Sequence, residues 1–274
     1  MKGRIEAPLR GAEPALAAIV RGAAVAALEA GAVIRSLYDQ PHQIRFKGEI
    51  DLVTEADLAS EKVILAALGR DFPGMPVLAE ESSPDCRQIP DGPLWVIDPL
   101  DGTTNFAHGF PCFAVSIAYS VNRVSLGGVI YCPMQDELFL AWRGGGAWLN
   151  GRRLAVSRRE RLLEALVGTG FPYAIRENLE EVLAKLRLVL PRVRDLRRAG
   201  AAAVDLAYVA CGRLDAFWER ELKPWDTAAG YLLVEEAGGR VSDFAGGEWD
   251  PYRSEILAGN PILHGKLVDL FVTE

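Results

Sequence analysis

The stretch Trp95–Phe106, WVIDPLDGTTNF, sets two carboxylates, Asp98 and Asp101, three residues apart across a proline at the end of an apolar run. Asp-Pro-x-Asp suits a type I turn, because proline fixes φ at the second position. Such a turn brings its first and fourth Cα atoms within about 7 Å. Both carboxylates can then address one cation or two adjacent ones, with the Leu100 carbonyl beside them. Gly102 and Thr103 open a helical turn whose N–H groups can receive an anion. Carboxylates beside anion-binding amides make sense if a divalent cation lies between them and a phosphate. Without one, the aspartates repel the anion that the amides attract. The same residues also suit purely local work, Asp98 capping the turn and Asp101 capping a helix. The motif alone leaves both uses open.

Other carboxylates stand at element ends. Glu80 and Glu81 close the apolar run in VLAEES, Asp226 follows Pro224 and Trp225 at a helix start, and Asp51 and Asp57 flank the start of another helix in DLVTEAD. Each has a plainer use: solvated loop charge for Glu80 and Glu81, N-cap for Asp226, and a capping box for Thr54-x-x-Asp57. Taken together they suit a hard, oxygen-bound cation such as Mg²⁺ or Mn²⁺. An EF-hand calcium loop is excluded, since its alternating acidic ligands and final glutamate are missing.

The remaining composition narrows the chemistry. Three histidines (His42, His108, His264) and four cysteines (Cys86, Cys112, Cys132, Cys211) share no metal-ligand spacing, which argues against zinc, a disulfide framework or imidazole catalysis. The thiols read as small buried residues in a reducing cytoplasm. A net charge of −7 argues against general affinity for nucleic acid or anionic membrane. Arg187, Arg192, Arg194, Arg197 and Arg198 form a basic stretch that reads as a solvated helix end and loop rather than a phosphate or RNA site. No signal peptide or membrane span is expected, because the alanine-rich run after Pro14 is interrupted by Arg21 and Glu29.

These residues need elements to position them. Residues 12–37 and 55–70 read as helices, the first blemished by Gly22 and Gly31, the second stopped by Asp71-Phe72-Pro73-Gly74. From there to about 156, six short runs rich in valine, isoleucine and aromatics read as an antiparallel sheet, with a hairpin at Asn150-Gly151. Helical patterns over 176–190, 200–212 and 226–237 then alternate with strands in ALVGTGF, LDAFWER and EILAG, and Asn260-Pro261 caps a last helix. The expectation is an α+β chain: an N-terminal half over 1–156 and an α/β half over 157–274, packed tightly as one catalytic unit.

WVIDPLDGTTNFAHGFPCFAVSIA and KPWDTAAGYLLVEEAGG resemble the two signature regions of the inositol monophosphatase family, and DLVTEAD and LAEESS resemble two further segments in the same order. The likeness runs from about residue 40 to 260. It implies a layered α-β-α-β-α sandwich related to fructose-1,6-bisphosphatase, and Mg²⁺-dependent, lithium-sensitive hydrolysis of a phosphate monoester without a covalent intermediate. Carried over by position, it implies that Glu80, Asp98, the Leu100 carbonyl, Asp101 and Asp226 hold metal. Asp57 and Thr103, with Glu80, would orient and deprotonate the attacking water. Gly102 and Thr103 would bind phosphate, while Asp101, Gly200, Ala201 and Glu219 would meet the alcohol. A cytoplasmic homodimer is implied as well.

The chain departs from the pattern on the alcohol side. Ala201 stands where many relatives carry serine or threonine, and Arg220 and Glu221 replace smaller residues; Glu219 and Glu221 would share a face if that strand continued. Inositol 1-phosphate is the expected substrate. Fructose 1,6-bisphosphate, 3′-phosphoadenosine 5′-phosphate, NADP and histidinol phosphate use the same chemistry in relatives. A rival of another class is a regulatory protein of RNA metabolism that kept the fold. Against it, all five acidic positions (Asp57, Glu80, Asp98, Asp101, Asp226) are present.

Overall fold

A computed structural model describes residues 2–40, 45–46, 52–83 and 91–273. Asp51, Cys86 and His42 lie outside the described residues. The helices are α1 (Lys2–Glu6), α2 (Pro14–Leu37), α3 (Glu55–Asp71), α4 (Thr103–Ala107), α5 (Ile175–Val189), α6 (Ala202–Ala210), α7 (Pro224–Glu236) and α8 (Pro261–Val272). The strands are β1 (Arg45–Phe46), β2 (Leu52–Val53), β3 (Val77–Ala79), β4 (Pro93–Asp101), β5 (Ala114–Val121), β6 (Val124–Cys132), β7 (Glu137–Trp142), β8 (Gly146–Leu149), β9 (Arg152–Arg153), β10 (Leu166–Thr169), β11 (Asp195–Arg197), β12 (Ala216–Arg220), β13 (Arg240–Ser242) and β14 (Glu255–Gly259). The elements absent from the sequence reading, α1, β1, β2, β9, β11 and β13, have two to five residues each. That is too short for either periodicity to register.

Helix α2 starts where its chemistry allows. Pro14 occupies the first turn and the Glu13 carboxylate accepts from the amides of Ala15 and Leu16, both at 3.0 Å. Its small residues recur at helical spacing, and Ala17, Val20, Ala24, Ala27, Gly31 and Ile34 are buried. Despite Arg21 and Glu29, α2 is long and apolar enough to cross a membrane by length and composition alone. The buried stripe packs on β5 and β6 instead, and Arg21 pairs with Glu6 at 2.8 Å. Close backbone packing needs small residues, and those same residues raise the apolarity of the helix.

Layering follows from which faces are apolar. α2 and α3 cover one face of a seven-stranded sheet ordered β3-β4-β5-β6-β7-β8-β9. α6 and α7 fill the space between that sheet and a five-stranded one ordered β11-β10-β12-β14-β13, and α5 and α8 cover the far side. This is an α-β-α-β-α sandwich. The middle helices are buried almost throughout, because both sheets press on them. The Asn150-Gly151 hairpin has both residues at positive φ, +50° and +82°, as a two-residue primed turn demands.

Two features of the first sheet differ from the expected antiparallel meander. β3 pairs with β4 in parallel, Ala79 opposite Ile97, so the next residues, Glu80 and Asp98, emerge at the same sheet end. An antiparallel partner would have sent Glu80 to the opposite edge. In addition, no turn ends the strand at Asp98: β4 continues to Asp101, and the bend is a bulge in its pairing with β5 between Asp98 and Asp101. Pro99 has no N–H to give the ladder, and the Leu100 amide is turned onto Asp98 Oδ1 at 2.9 Å. Residues three apart on a regular strand face opposite sides; the bulge brings both aspartates to one.

His264 of α8 is fully buried, its Nε2 2.8 Å from Ser242 Oγ of β13. Burial, then the charge of Arg240, push its pKa from 6.5 down to about 4. The unfolded chain therefore binds a proton near pH 6.5 that the folded chain refuses until about pH 4. Stability is retained above pH 6.5 and falls through that window at about 1.4 kcal/mol per unit. His264→Gln removes this titration, and urea denaturation of the variant between pH 6.5 and 4 is expected to be less pH-dependent than wild type. Parallel pH profiles would contradict the assignment.

Candidate active site

Asp98, Asp101 and Asp226 each offer a carboxylate oxygen, and these atoms lie within 4.8 Å of one another. The bulged end of β4 supplies the first two. The third comes from the first turn of α7, which the Ser116 hydroxyl holds by donating to Trp225 O at 3.2 Å. Ser60 of α3 braces the bulge, donating to Pro99 O at 2.6 Å. Glu80 stands beside the group at the end of β3, and the next amide, Glu81 N, donates to Glu61 Oε2 at 3.0 Å.

The local capping roles and the cluster turn out to be compatible. Asp98 Oδ1 accepts from Leu100 N, Asp226 Oδ2 accepts from Lys223 N at 2.7 Å, and Asp57 Oδ2 accepts from Thr54 N at 2.8 Å. Asp101 caps a helix distant in sequence: its Oδ2 accepts from Ala203 N at 2.9 Å at the start of α6. Each carboxylate is thus oriented by backbone amides, and Asp98, Asp101 and Asp226 each still present an oxygen to the cluster.

The electrostatics are those of crowded like charge. Burial, followed by the charges of Glu80, Asp101 and Asp226, pushes the Asp98 carboxyl well above the usual range. Burial raises Asp101 to about 7, although the amides of Ala203, Val204 and Ala202 pull it back. Buried carboxylates packed this closely are tolerated when protons or a cation neutralise them. The donors are all oxygen, which fits a hard divalent cation.

Beside the cluster, Thr103 Oγ1 donates to Asp57 Oδ1 at 2.7 Å and approaches Leu100 O at 3.1 Å. Gly102, at φ +92°, sits in a backbone that favours glycine and in tight quarters: a Cβ there would lie 3.0 Å from Cys112 O and 3.2 Å from Ala201 Cβ. Ala201 itself is buried and begins α6 without a side-chain cap. Asn105 fastens this corner, its Nδ2 lying 2.6, 2.8 and 3.3 Å from the carbonyls of Cys112, Ala199 and Gly200.

Glu219 faces the site from β12. Burial first, then the charges of Asp205 and Asp226, hold its carboxyl well above the usual range, with Arg198 opposing. A Cβ on Gly170 would collide with this carboxylate, so the glycine provides its space. Asp205 was not singled out in the sequence. It is 1 % exposed and its Oδ1 has no hydrogen-bond partner among the described residues. The available signal was one acid within the otherwise apolar AAAVDLAYVA. Arg198 is more than a solvated charge, lying over the Phe171 ring at 5.3 Å and drawing down both Glu219 and Asp205. Glu221 does not share the face of Glu219, because β12 ends at Arg220 and Glu221 turns to φ +61°.

The model of the inositol monophosphatase family matches residues 16–274. The chain belongs to that family. It is 45 % identical over 230 residues to an inositol-1-monophosphatase of Mesorhizobium japonicum, covering 82 % of this chain and 85 % of the other. Over 214 residues it is 50 % identical to the Nus factor SuhB of Pseudomonas aeruginosa, covering 77 % and 79 %. Among solved structures, the inositol monophosphatase of Anabaena superposes with a TM-score of 0.84 at 41 % identity, covering 93 % of this chain and 95 % of that one. The chain is accordingly an enzyme of phosphoric monoester hydrolysis.

The crowded carboxylates generate a stability prediction independent of turnover. In chelator-treated protein, Asp98→Asn keeps an acceptor for Leu100 N and removes a carboxyl whose ionisation burial and its acidic neighbours oppose. Its melting temperature at pH 8 is expected to rise by about 2–4 °C per kcal/mol relieved, while the stabilisation that a divalent cation confers on wild type is largely lost. A chelated variant less stable than wild type, with cation stabilisation intact, would rule out the cluster as described.

Proposed function

We propose that the chain is a Mg²⁺-dependent phosphatase of inositol 1-phosphate or a closely similar polyol phosphate, with Mn²⁺ as a possible substitute. The observation that carries this reading is the group of Asp98, Asp101 and Asp226 within 4.8 Å, next to the amides that open α4. Those three aspartates, Glu80 and the Leu100 carbonyl would hold the cation. When bound, such a cation screens the charge of a phosphate and acidifies a water. The amides of Gly102 and Thr103 receive the phosphate oxygens. Thr103 Oγ1 directs its proton to Asp57, so its lone pairs can accept from the attacking water, and the proton passes toward the carboxylate. Glu219 meets a hydroxyl of the alcohol, in a pocket bounded by Gly200 and Ala201. No histidine base is required. A cytoplasmic homodimer sensitive to Li⁺ completes the proposal.

Phosphate release from a substrate panel tests it. Wild type is expected to favour inositol 1-phosphate over fructose 1,6-bisphosphate, 3′-phosphoadenosine 5′-phosphate, NADP and histidinol phosphate. Asp226→Asn should lower turnover by at least about 100-fold, and Thr103→Val should lower kcat by about 10–100-fold while cation-induced stabilisation persists. Undiminished turnover in Asp226→Asn would refute the cation site.

A second reading has one observation in its favour, the 50 % identity to a protein named Nus factor SuhB. On that reading the chain also serves RNA metabolism through its surface. An Asp98→Asn protein that restores transcription phenotypes in a strain lacking the chain, but releases no phosphate, would separate the two roles.

A further inference from the structure

The two residues after Glu219 are held in a way that contact with an alcohol does not by itself require. Glu221 adopts a left-handed backbone, φ +61°, a conformation that strains any residue bearing a Cβ and persists where its surroundings impose it. Glycine would take this backbone freely. The glutamate side chain has its own use: Oε1 accepts from Asn178 Nδ2 at 2.9 Å, and the same amide donates to Ala174 O at 2.9 Å. Arg220 makes a second connection, pairing with Glu181 and lying 3.8 Å from Glu255.

Asn178 and Glu181 are three apart, on one face of α5. That helix buries only Leu188 and Val189, both in its last turn. Its C-terminal end is therefore held by packing, and two polar ties reach its front half from Arg220 and Glu221 at the end of β12. The front end continues back through residues 171–174 to Gly170, whose missing side chain makes the space for Glu219. If the first turns of α5 drift outward, that short segment moves with them and the wall behind Glu219 opens.

We propose that Arg220 and Glu221 are positioning residues: by holding the first turns of α5 against the end of β12, they fix Glu219 and so set which alcohols the site accepts. The identity of the group received by Glu219 rests on the phosphatase reading above; the tie itself does not. Partly exposed ion pairs contribute little to overall stability, so the effect belongs in local opening and substrate discrimination.

The test compares Asn178→Ala, Glu221→Gly and Glu221→Gln with wild type. Amide hydrogen exchange over residues 174–182 is read without substrate. Kinetics are read on inositol 1-phosphate and on p-nitrophenyl phosphate, whose leaving group has no hydroxyl for Glu219. Asn178→Ala and Glu221→Gly are expected to exchange about 5–10 times faster in that segment. They should raise KM for inositol 1-phosphate about 5–10-fold, with kcat and the p-nitrophenyl phosphate KM changed less than about twofold. Glu221→Gln, which still accepts from Asn178, should behave as wild type. Unchanged exchange in both disrupting variants, or equal rises in KM for the two substrates, overturns the proposal. A wild type that hydrolyses neither compound overturns the phosphatase reading and the substrate half of this one, while the exchange result still decides the tie.

Discussion

The constraint on which the structure turns is repulsion among buried carboxylates. Asp98, Asp101 and Asp226 bring oxygens within 4.8 Å, and Glu80 adds its charge to Asp98. Side-chain cations would quench the repulsion but would also fill the space among the carboxylates. The fold uses backbone N–H groups instead. Leu100, Ala203 and Lys223 each donate an amide to one of the three aspartates. Amide dipoles orient a carboxylate and draw its pKa down without filling the site. For Asp101 the contribution is that of a helix start, so α6 is capped by a residue 102 positions earlier.

Holding those groups in place dictates much of the rest. A parallel β3–β4 pair is needed to bring Glu80 and Asp98 to one edge, and the β4 bulge is needed to aim Asp98 and Asp101 together. α7 must then deliver Asp226 from above, which fixes its docking on β5 through Ser116 and on β6 through Tyr231, whose hydroxyl accepts from Ser125 N at 2.7 Å. α6 and α7 are pressed between two sheets. The most deeply buried layer therefore carries the amides and the carboxylate that the site depends on, and its packing offsets the destabilisation that clustered charge brings.

The residues of the site were more legible in the sequence than their geometry. Asp98, Asp101, Asp57 and Asp226 stood out because acids at element ends break an apolar pattern, and the long helices and strands stood out by period. Capping and clustering looked like alternatives because a sequence does not show that a carboxylate held by a backbone amide can also face other carboxylates across the fold. The bulge was misread as a turn, since Asp-Pro-x-Asp favours both and only the partner strand β5 selects between them. The direction of β3 was invisible for a similar reason: pairing is set by distant residues, not by local pattern. Asp205 and Gly170 escaped because their significance lies in what faces them across the fold.

The two sheets also divide the chemistry. Residues that would hold metal, water and phosphate come from β3, β4 and the starts of α3 and α4, with Asp226 the one contribution from the C-terminal half. Residues that would meet the alcohol come from β12 and the start of α6, with Asp101 shared between the two groups. The second group meets the first through Asp101 at the start of α6, through Gly102 against Ala201 and through Asn105 on the Ala199 and Gly200 carbonyls. Arg220 and Glu221, by contrast, tie to α5, so changes there can alter the alcohol side while leaving the carboxylate geometry in place. Glu221 illustrates the separation. Its left-handed backbone lies five residues before Asp226, yet the chain between them ends one element and starts another. Strain taken up there is absorbed at a strand end, and the first turn of α7 remains held by its own cap to Lys223 and by Ser116.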